Sequence, residues 1–180
     1  NSTDGTLDYL NEWEQTPSEY QKQVIHLEKN IGGSGGFYEG LKVSLDFDAD
    51  WIWVADDDAY PDLSAIEIAD RTVQDKNIVD ESVSALCGAV INNGDYDCGH
   101  RRRIFLEGSR IREVPAEKDE YQKDNFEIQL FSYVGAVIRK SVLQQVGLPK
   151  KDYFIWYDDT EHSMRLAKEG KILCIPAIRI

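Results

Sequence analysis

The chain has 180 residues, of which 42% are hydrophobic and 29% are charged, a composition typical of one folded domain with a substantial core. No apolar run is long enough to span a bilayer, and the formal net charge of -13 argues against nucleic-acid binding, which requires a basic surface. A phosphate-bearing ligand would therefore have to be met by local positive groups or by a metal ion.

The three cysteines, Cys87, Cys98 and Cys174, are widely spaced along the chain. Their spacing indicates neither a zinc site nor a disulfide framework, so we interpret them as reduced thiols of a cytoplasmic protein. The chain begins with Asn1, and no signal-peptide pattern follows. We expect it to be a fragment of a longer protein.

The first fifty residues are predicted to form a helix, a short strand and a second helix. Turn-forming residues 1–6 precede apolar residues at helical spacing, which predicts a helix to about Glu14. Residues 23–27 predict a short strand. The glycines within residues 32–36 allow backbone to approach a ligand closely, and the helical spacing after them predicts a helix whose N-terminus favours an anion. A flexible turn is the alternative interpretation of these glycines.

The most informative stretch is residues 51–62, where an apolar run ends in three carboxylates. The run from Trp51 to Ala55 predicts a strand buried on both faces, which puts the acids at its C-terminal edge, where ligands bind in α/β sheets. Adjacent carboxylates repel one another and become favourable when they bind Mg²⁺ or Mn²⁺. In an extended segment Asp56 and Asp58 would both face the ligand. The alternative is a solvated acidic loop that caps a helix.

The middle of the chain predicts alternating helices and strands. Apolar spacing indicates a helix near residues 63–70 and a strand at residues 84–91. The basic cluster at residues 100–103 either meets an anionic ligand or forms a solvated strand edge or loop. Charged residues and prolines in 113–125 predict a mobile surface loop. A buried strand within residues 126–138 follows.

The end of the chain repeats the pattern of an apolar run followed by acids. After a helix at residues 141–146, aromatic and apolar residues 153–157 run into Asp158, Asp159 and Glu161. These acids open a helix to about residue 169, before a last strand at 171–176. Asp158 and Glu161 have the spacing of a capping box, which explains part of this cluster without a ligand.

Taken together, these motifs resemble the family 2 glycosyltransferases of the GT-A fold. Five segments carry the resemblance in the same order: residues 1–6, Asn30 with the glycines to 36, residues 56–58, Gly135-Ala136 with Arg139, and residues 158–161. The triple Asp and the stretch from 154 to 161 are most similar to bacterial galactofuranosyltransferases, with rhamnosyltransferases next.

The resemblance implies an α/β fold, namely a GT-A-like, Rossmann-like α/β/α sandwich with a mostly parallel central sheet. Residues 1–180 would form a partial catalytic domain that is truncated at both ends. The family's first strand would lie upstream of Asn1, and its late metal-binding His would lie beyond Ile180. His162 does not match that His, and the role is not transferred to it.

The resemblance also implies an inverting transfer of a sugar from a nucleotide-diphosphate donor, linked to UDP or dTDP. Asp56 and Asp58 match the family's ligands for Mn²⁺ or Mg²⁺, and Asp159 matches its catalytic base. The implied acceptor is a glycan or a lipid-linked glycan of cell-surface polysaccharide synthesis, which implies peripheral association with the inner face of the cell membrane.

The remaining site residues divide between the two substrates. The resemblance implies that donor-binding residues come from the glycine-rich turn and the acidic triplet, namely Asn30, Gly32, Gly33 and Asp57. It implies that acceptor-binding residues come from the aromatic and acidic stretch, namely Trp156, Tyr157, Asp158 and Glu161. The two aromatic side chains are equally consistent with core packing.

Three other functions compete with this interpretation. A nucleotidyltransferase also uses paired acids on an α/β sheet, but it would have Arg and Lys in its glycine-rich loop, and residues 32–36 contain neither. A non-catalytic sugar-binding or partner-binding module would retain glycan binding without metal dependence. A metal-independent hydrolase would place two carboxylates on opposite sides of one bond, which three consecutive acids disfavour.

Overall fold

The computed structural model describes residues 2–108 and 110–180, so Asn1 of the predicted N-terminal turn lies outside the described residues. The α-helices are Thr6–Gln15 (α1), Gly32–Ser44 (α2), Ala65–Gln74 (α3), Lys140–Val146 (α4) and Asp158–Glu169 (α5). The strands are Trp51–Val54 (β1), Val83–Ala89 (β2), Ile91–Asn92 (β3), Asp95–Tyr96 (β4), Arg101–Glu107 (β5), Arg110–Pro115 (β6), Phe126–Ile128 (β7), Leu130–Phe131 (β8), Ala136–Arg139 (β9) and Lys171–Arg179 (β10). Short 3-10 helices cover Cys98–His100, Lys118–Gln122 and Lys151–Tyr153.

The core of the molecule is a five-stranded sheet in the order β1-β9-β2-β10-β7. β2 and β10 pair in parallel, whereas the other neighbouring pairs are antiparallel. The sheet is therefore mixed rather than mostly parallel, because β7 and β9 run against the other strands. β1, β2 and β10 still point in one direction, so their C-terminal ends meet at one edge.

Helices cover both faces of this sheet, which confirms the predicted α/β/α sandwich. One apolar cluster joins side chains of α2, α4 and α5, represented by Leu41, Leu143 and Leu166, to one face of the sheet. A second cluster joins Ala65 and Ala69 of α3 to the other face. Alternate residues of each strand supply the two clusters, as the twofold repeat of a strand requires.

β1 forms where it was predicted, but it is not buried on both faces. Ile52 and Val54 point into the first core cluster and are buried, whereas Trp51 and Trp53 are half-buried against the second. The prediction of burial on both faces was wrong because β1 lies at the edge of the sheet and pairs only with β9 among the described strands.

Two other sequence predictions were wrong. Residues 23–27 form no strand, and the N–H of Val24 donates instead to the side chain of Glu14, at 2.6 Å. The segment 113–125 is not a mobile loop. It ends β6 and forms a 3-10 helix whose Tyr121 is buried and stacked on Tyr96, so an aromatic anchor orders this polar segment.

A smaller three-stranded sheet, in the order β6-β5-β8, stands beside the core. The single strand predicted within residues 126–138 is three strands in the structure: β7 and β9 belong to the five-stranded sheet, and β8 belongs to this smaller one. The pairing of β5 with β8 brings the basic cluster next to the start of α5, since the Arg102 side chain hydrogen-bonds to Thr160. In the described part of the chain, no helix combines the length and apolar character needed to cross a bilayer.

Candidate active site

The acidic triplet follows β1 in a tight turn. The N–H of Ala59 donates to the carbonyl of Asp56 at 3.2 Å, which closes the turn. Asp56 is half-buried, whereas Asp57 and Asp58 are exposed. Since the segment is not extended, the alternation that paired Asp56 with Asp58 does not apply, and the two side chains are related by turn geometry instead.

A cleft of about 490 Å³ lies between α2 and the end of β1, and we call it the α2–β1 cleft. Its lining includes Gly33 and Gly36 of the helix and Trp53, Asp56 and Asp57 of the strand and turn. Two of the predicted donor-binding residues, Gly33 and Asp57, therefore share a cleft with the predicted metal ligand Asp56. Asn30, Gly32 and Asp58 are not among its lining residues.

The glycine-rich turn forms the N-terminus of α2, as predicted. Gly32 begins the helix with a φ of 73°, a conformation that favours glycine, and its N–H donates to the Asn30 side chain at 2.9 Å. The N–H of Ser34 donates to the carbonyl of Phe154 at 3.1 Å. The first turn of α2 therefore contacts the aromatic stretch that precedes α5.

That aromatic stretch has an unusual backbone. Phe154, Trp156 and Tyr157 have φ values of 64°, 67° and 66°, the left-handed region that non-glycine residues rarely adopt. Their side chains are exposed, Trp156 by 75% and Tyr157 by 60%. Core packing therefore does not explain these two aromatic residues, and such conformations cluster at ligand sites.

The acids at the start of α5 do not form the capping box that their spacing allowed. The N-cap residue is Tyr157, and no side chain caps the helix. Asp158 is buried, and its Oδ2 has no hydrogen-bond partner among the described residues. Both oxygens of Glu161 accept from Arg165, at 2.9 and 2.8 Å, so a ligand at Glu161 would compete with an ion pair.

Asp159 lies in a second pocket, of about 370 Å³, lined also by Arg102, Trp156, Tyr157 and Thr160, which we call the Asp159 pocket. Its Oδ1 accepts from the N–H of Thr160 at 2.5 Å and from the Thr160 hydroxyl at 3.1 Å. Burial raises the pKa of Asp159, and the neighbouring Asp158 carboxylate adds to this effect. The hydrogen bonds from Thr160 and the charge of Arg102 have the opposite effect and lower this pKa.

The two acidic motifs, a hundred residues apart in sequence, lie close together in space. Burial raises the pKa of Asp56, and carboxylates from both motifs raise it further, namely Asp58, Asp57, Asp159 and Asp158. Within residues 2–108 and 110–180, no three His, Cys, Asp or Glu side chains converge tightly enough to form a complete metal site. What the acids do form is a concentrated negative charge, which a divalent cation would neutralise.

Two residues of this region were not singled out by the sequence, Arg102 and Thr160. The basic cluster was noticed, but its members separate: Arg101 is buried and donates to backbone carbonyls, and Arg103 pairs with Glu120. The one signal in the sequence that could have distinguished Arg102 is the alternation of side chains along a strand, which places Arg102 on the opposite face from Arg101 and Arg103. Arg139 pairs with Trp51 at the start of β1, whereas the acids follow the end of that strand.

Comparison with known proteins gives a consistent set of relatives. The family model described as "Glycosyl transferase family 2" matches residues 1–147. Galactofuranosyltransferase GlfT1 of Mycobacterium tuberculosis is 29% identical over 142 residues, which cover 79% of this chain and 45% of that protein. GlfT1 of Mycolicibacterium smegmatis is 27% identical over 175 residues, covering 94% and 54%. The chain thus spans about half the length of these relatives.

Solved structures support the fold. The crystal structure of GalNAc-T7 with UDP, GalNAc and Mn²⁺ superposes with a TM-score of 0.66 at 14% identity, covering 99% of this chain and 35% of that one. The structure of Staphylococcus aureus TarS residues 1–349 gives 0.63 at 15% identity, covering 99% and 48%. At these identities the likeness concerns the fold alone.

Proposed function

Because the chain belongs to glycosyl transferase family 2, we propose that it carries part of an enzyme that transfers a sugar from a nucleotide-diphosphate donor to an acceptor hydroxyl. The likeness to two mycobacterial galactofuranosyltransferases supports galactofuranose, carried by UDP, as the sugar. Rhamnose carried by dTDP is the second candidate. The acceptor is a glycan or a lipid-linked glycan of cell-surface polysaccharide synthesis, reached at the inner face of the membrane.

The observation that carries this proposal is the closeness of Asp56 to Asp158 and Asp159. A transferase must bring the leaving diphosphate and the attacking hydroxyl to the same anomeric carbon. The charges of Asp159 and Asp158 both raise the pKa of Asp56, which supports a single region shared by the two acidic motifs. A charge-neutralising site and a base can therefore act on a single substrate there.

In the proposed reaction Asp159 is the general base. It accepts the proton of the acceptor hydroxyl while that oxygen forms a bond to the anomeric carbon. The bond from the anomeric carbon to the diphosphate oxygen breaks on the opposite side, and the configuration inverts. The raised pKa of Asp159 strengthens it as a proton acceptor.

The acidic turn is the proposed site of the divalent cation. Asp56 and Asp58 would hold Mn²⁺ or Mg²⁺, and the ion would supply positive charge to stabilise the departing nucleotide. Their chemistry fits this group, since hard oxygen ligands suit both ions, and a cation would offset the burial and the carboxylate repulsion that together raise the pKa of Asp56. The presence of Mn²⁺ with UDP in the GalNAc-T7 structure supports the assignment.

The two clefts divide the substrates between them. The α2–β1 cleft is the proposed donor site, with Gly33 and Asp57 in its wall and Asn30 and Gly32 shaping the turn that forms it. The Asp159 pocket is the proposed acceptor site. Trp156 and Tyr157 would stack on a sugar ring there.

The acids beside the base have different proposed parts in acceptor binding. Asp158 offers a buried oxygen without a partner among the described residues to an acceptor hydroxyl. Glu161, whose oxygens are held by Arg165, is the weakest member of the acceptor set.

Calorimetric titration with UDP and with dTDP, each with and without Mn²⁺, tests the proposal. We expect one nucleotide to bind only with the metal and Asp58→Asn to abolish that binding, while Asp62→Asn, an exposed acid nearby, leaves it unchanged. The nucleotide that binds identifies the donor. Absence of binding in both titrations would contradict the donor site and favour a sugar-binding module.

A further inference from the structure

Arg102 is fixed at the wall of the Asp159 pocket by two partners. It extends from β5, and one of its terminal nitrogens forms an ion pair with Glu113 of the neighbouring strand β6. The other, Nη2, donates to the hydroxyl oxygen of Thr160 at 2.9 Å. The side chain is only 19% exposed, so this geometry is set by protein contacts rather than by solvent.

The Thr160 hydroxyl connects Arg102 to the proposed base. Having accepted a hydrogen bond from Arg102, it donates its own hydrogen to Oδ1 of Asp159, at 3.1 Å. The backbone N–H of Thr160 donates to the same oxygen. Oδ1 of Asp159 is therefore occupied by two donors, which leaves Oδ2 as the oxygen available to a ligand.

We propose that Arg102, acting through the Thr160 hydroxyl, is the positioning residue that keeps Asp159 ionised and turns its Oδ2 toward the acceptor. The chain of two hydrogen bonds ends in a cation, and each bond polarises the next. This inference rests on the proposed function of Asp159 as the base. It assigns a role to a strand outside the five-stranded sheet and outside both acidic motifs.

The charges around Asp159 explain why Arg102 matters for the ionisation of this carboxyl group. Acidic groups predominate around this carboxylate: Asp158 precedes it on α5, Asp56 is within electrostatic range after β1, and the Tyr133 hydroxyl faces both Asp158 and Asp159. Of the remaining charges, Glu161 and Arg165 of α5 pair with each other, and Glu113 of β6 pairs with Arg102. Burial and the Asp158 carboxylate raise the pKa of Asp159 and so disfavour its ionisation, whereas the hydrogen bonds from Thr160 and the charge of Arg102 favour it. Without Arg102, the carboxylate would hold its proton to higher pH and would be a less available base.

The adjacent residue provides a matched control. Arg103 follows on the same strand, points to the other face and pairs with Glu120 at 2.7 and 2.8 Å. Arg103→Gln removes the same unit of charge from β5 as Arg102→Gln. It leaves the connection from Arg102 to Asp159 intact.

The test follows the ¹³C signal of the Asp159 carboxyl group against pH in the full chain, with Asp159→Asn used to identify the signal. We expect the titration midpoint to move upward in Arg102→Gln and in Thr160→Val, and to stay in place in Arg103→Gln and in Thr160→Ser, which keeps the hydroxyl. An unmoved or lowered midpoint in both Arg102→Gln and Thr160→Val would overturn the proposal. An equal shift in Arg103→Gln would do the same, since the effect would then be one of net charge.

This experiment separates the inference from the proposed function, because it needs neither donor nor acceptor. A chain that shows the shifts but binds no nucleotide would refute the donor site and keep the connection from Arg102 to Asp159. Should Arg102→Gln fail to fold, the pair Thr160→Val and Thr160→Ser decides the question, since both retain Arg102 and differ in the hydroxyl.

Discussion

A side chain on Gly32 would overlap the carbonyl oxygen of Phe154, because the first turn of α2 lies directly against the aromatic stretch before α5. The N–H of Ser34 holds the same carbonyl at 3.1 Å. The glycine-rich turn and the aromatic stretch, which the sequence presents as separate motifs, are thus one packed unit. It joins the proposed donor site to the proposed acceptor site.

The first prediction is that Gly32→Ala destabilises the fold. The new Cβ would meet backbone rather than a flexible side chain, and the φ of 73° is costly for alanine. We expect a loss of about 1–3 kcal/mol in the free energy of unfolding, measured by urea denaturation. Gly33→Ala is the matched control: it has open space around it and should gain up to about 1 kcal/mol of helix stability. Equal effects would show that the contact with Phe154 is not made.

A second prediction concerns the proposed base. Asp159→Asn keeps the hydrogen-bonding shape of the side chain but cannot accept the proton, so sugar transfer should fall by about 10²- to 10⁴-fold. Binding of the nucleotide with Mn²⁺ should remain, because the acidic turn is unchanged. Sugar transfer is measured by release of the nucleotide in the presence of acceptor glycan, and nucleotide binding is measured by calorimetry. Asp152→Asn, an exposed acid on the preceding segment, should retain full activity.

The third prediction follows from the raised pKa of Asp56. A carboxyl group whose pKa is higher in the folded state binds more protons there, so stability falls as pH rises from its ordinary pKa of 3.8 through the raised value. Without metal, Asp56→Asn should therefore raise the unfolding temperature at pH 7, and this gain should shrink below about pH 4. Calorimetric scans in EDTA measure it, with Asp62→Asn as control. A lower unfolding temperature in Asp56→Asn at pH 7 would contradict the raised pKa of Asp56.

A fourth prediction separates binding from stability at Trp156. This side chain is 75% exposed, so Trp156→Ala should leave the unfolding temperature nearly unchanged. If the indole stacks on the acceptor sugar, KM for the acceptor should rise several-fold while KM for the donor stays constant. Tyr153→Ala, at an exposed aromatic position outside the Asp159 pocket, is the control. A rise in both KM values would indicate a disturbed loop rather than a lost contact.

Local patterns in the sequence were sufficient to predict the elements that frame the site. The run Trp51–Val54 followed by three acids indicated a strand that ends at a functional edge, and the glycines at 32–36 indicated a helix N-terminus. Both inferences depend only on neighbouring residues. The burial of β1 depends instead on which strands lie beside it in the sheet, and neighbouring residues do not reveal this.

Contacts distant in sequence account for what was missed. Residues 23–27 have the composition of a strand but find no partner strand among the described residues. The contact between Arg102 and Thr160 joins residues 58 positions apart, through the pairing of β5 with β8. The spacing of Asp158 and Glu161 favoured a capping box, but Arg165 engages Glu161 instead.

The most direct test of the account is whether a metal held by the acidic turn lies beside Asp159. With UDP and Mn²⁺ bound, paramagnetic broadening of amide signals, measured against a Mg²⁺ reference, should be strong at Asp57, Asp159 and Thr160. It should be far weaker at Val83 and Lys171, which begin β2 and β10 about 20 Å away at the opposite edge. Broadening at the turn that leaves Asp159 and Thr160 unaffected would contradict a single site shared by the two acidic motifs.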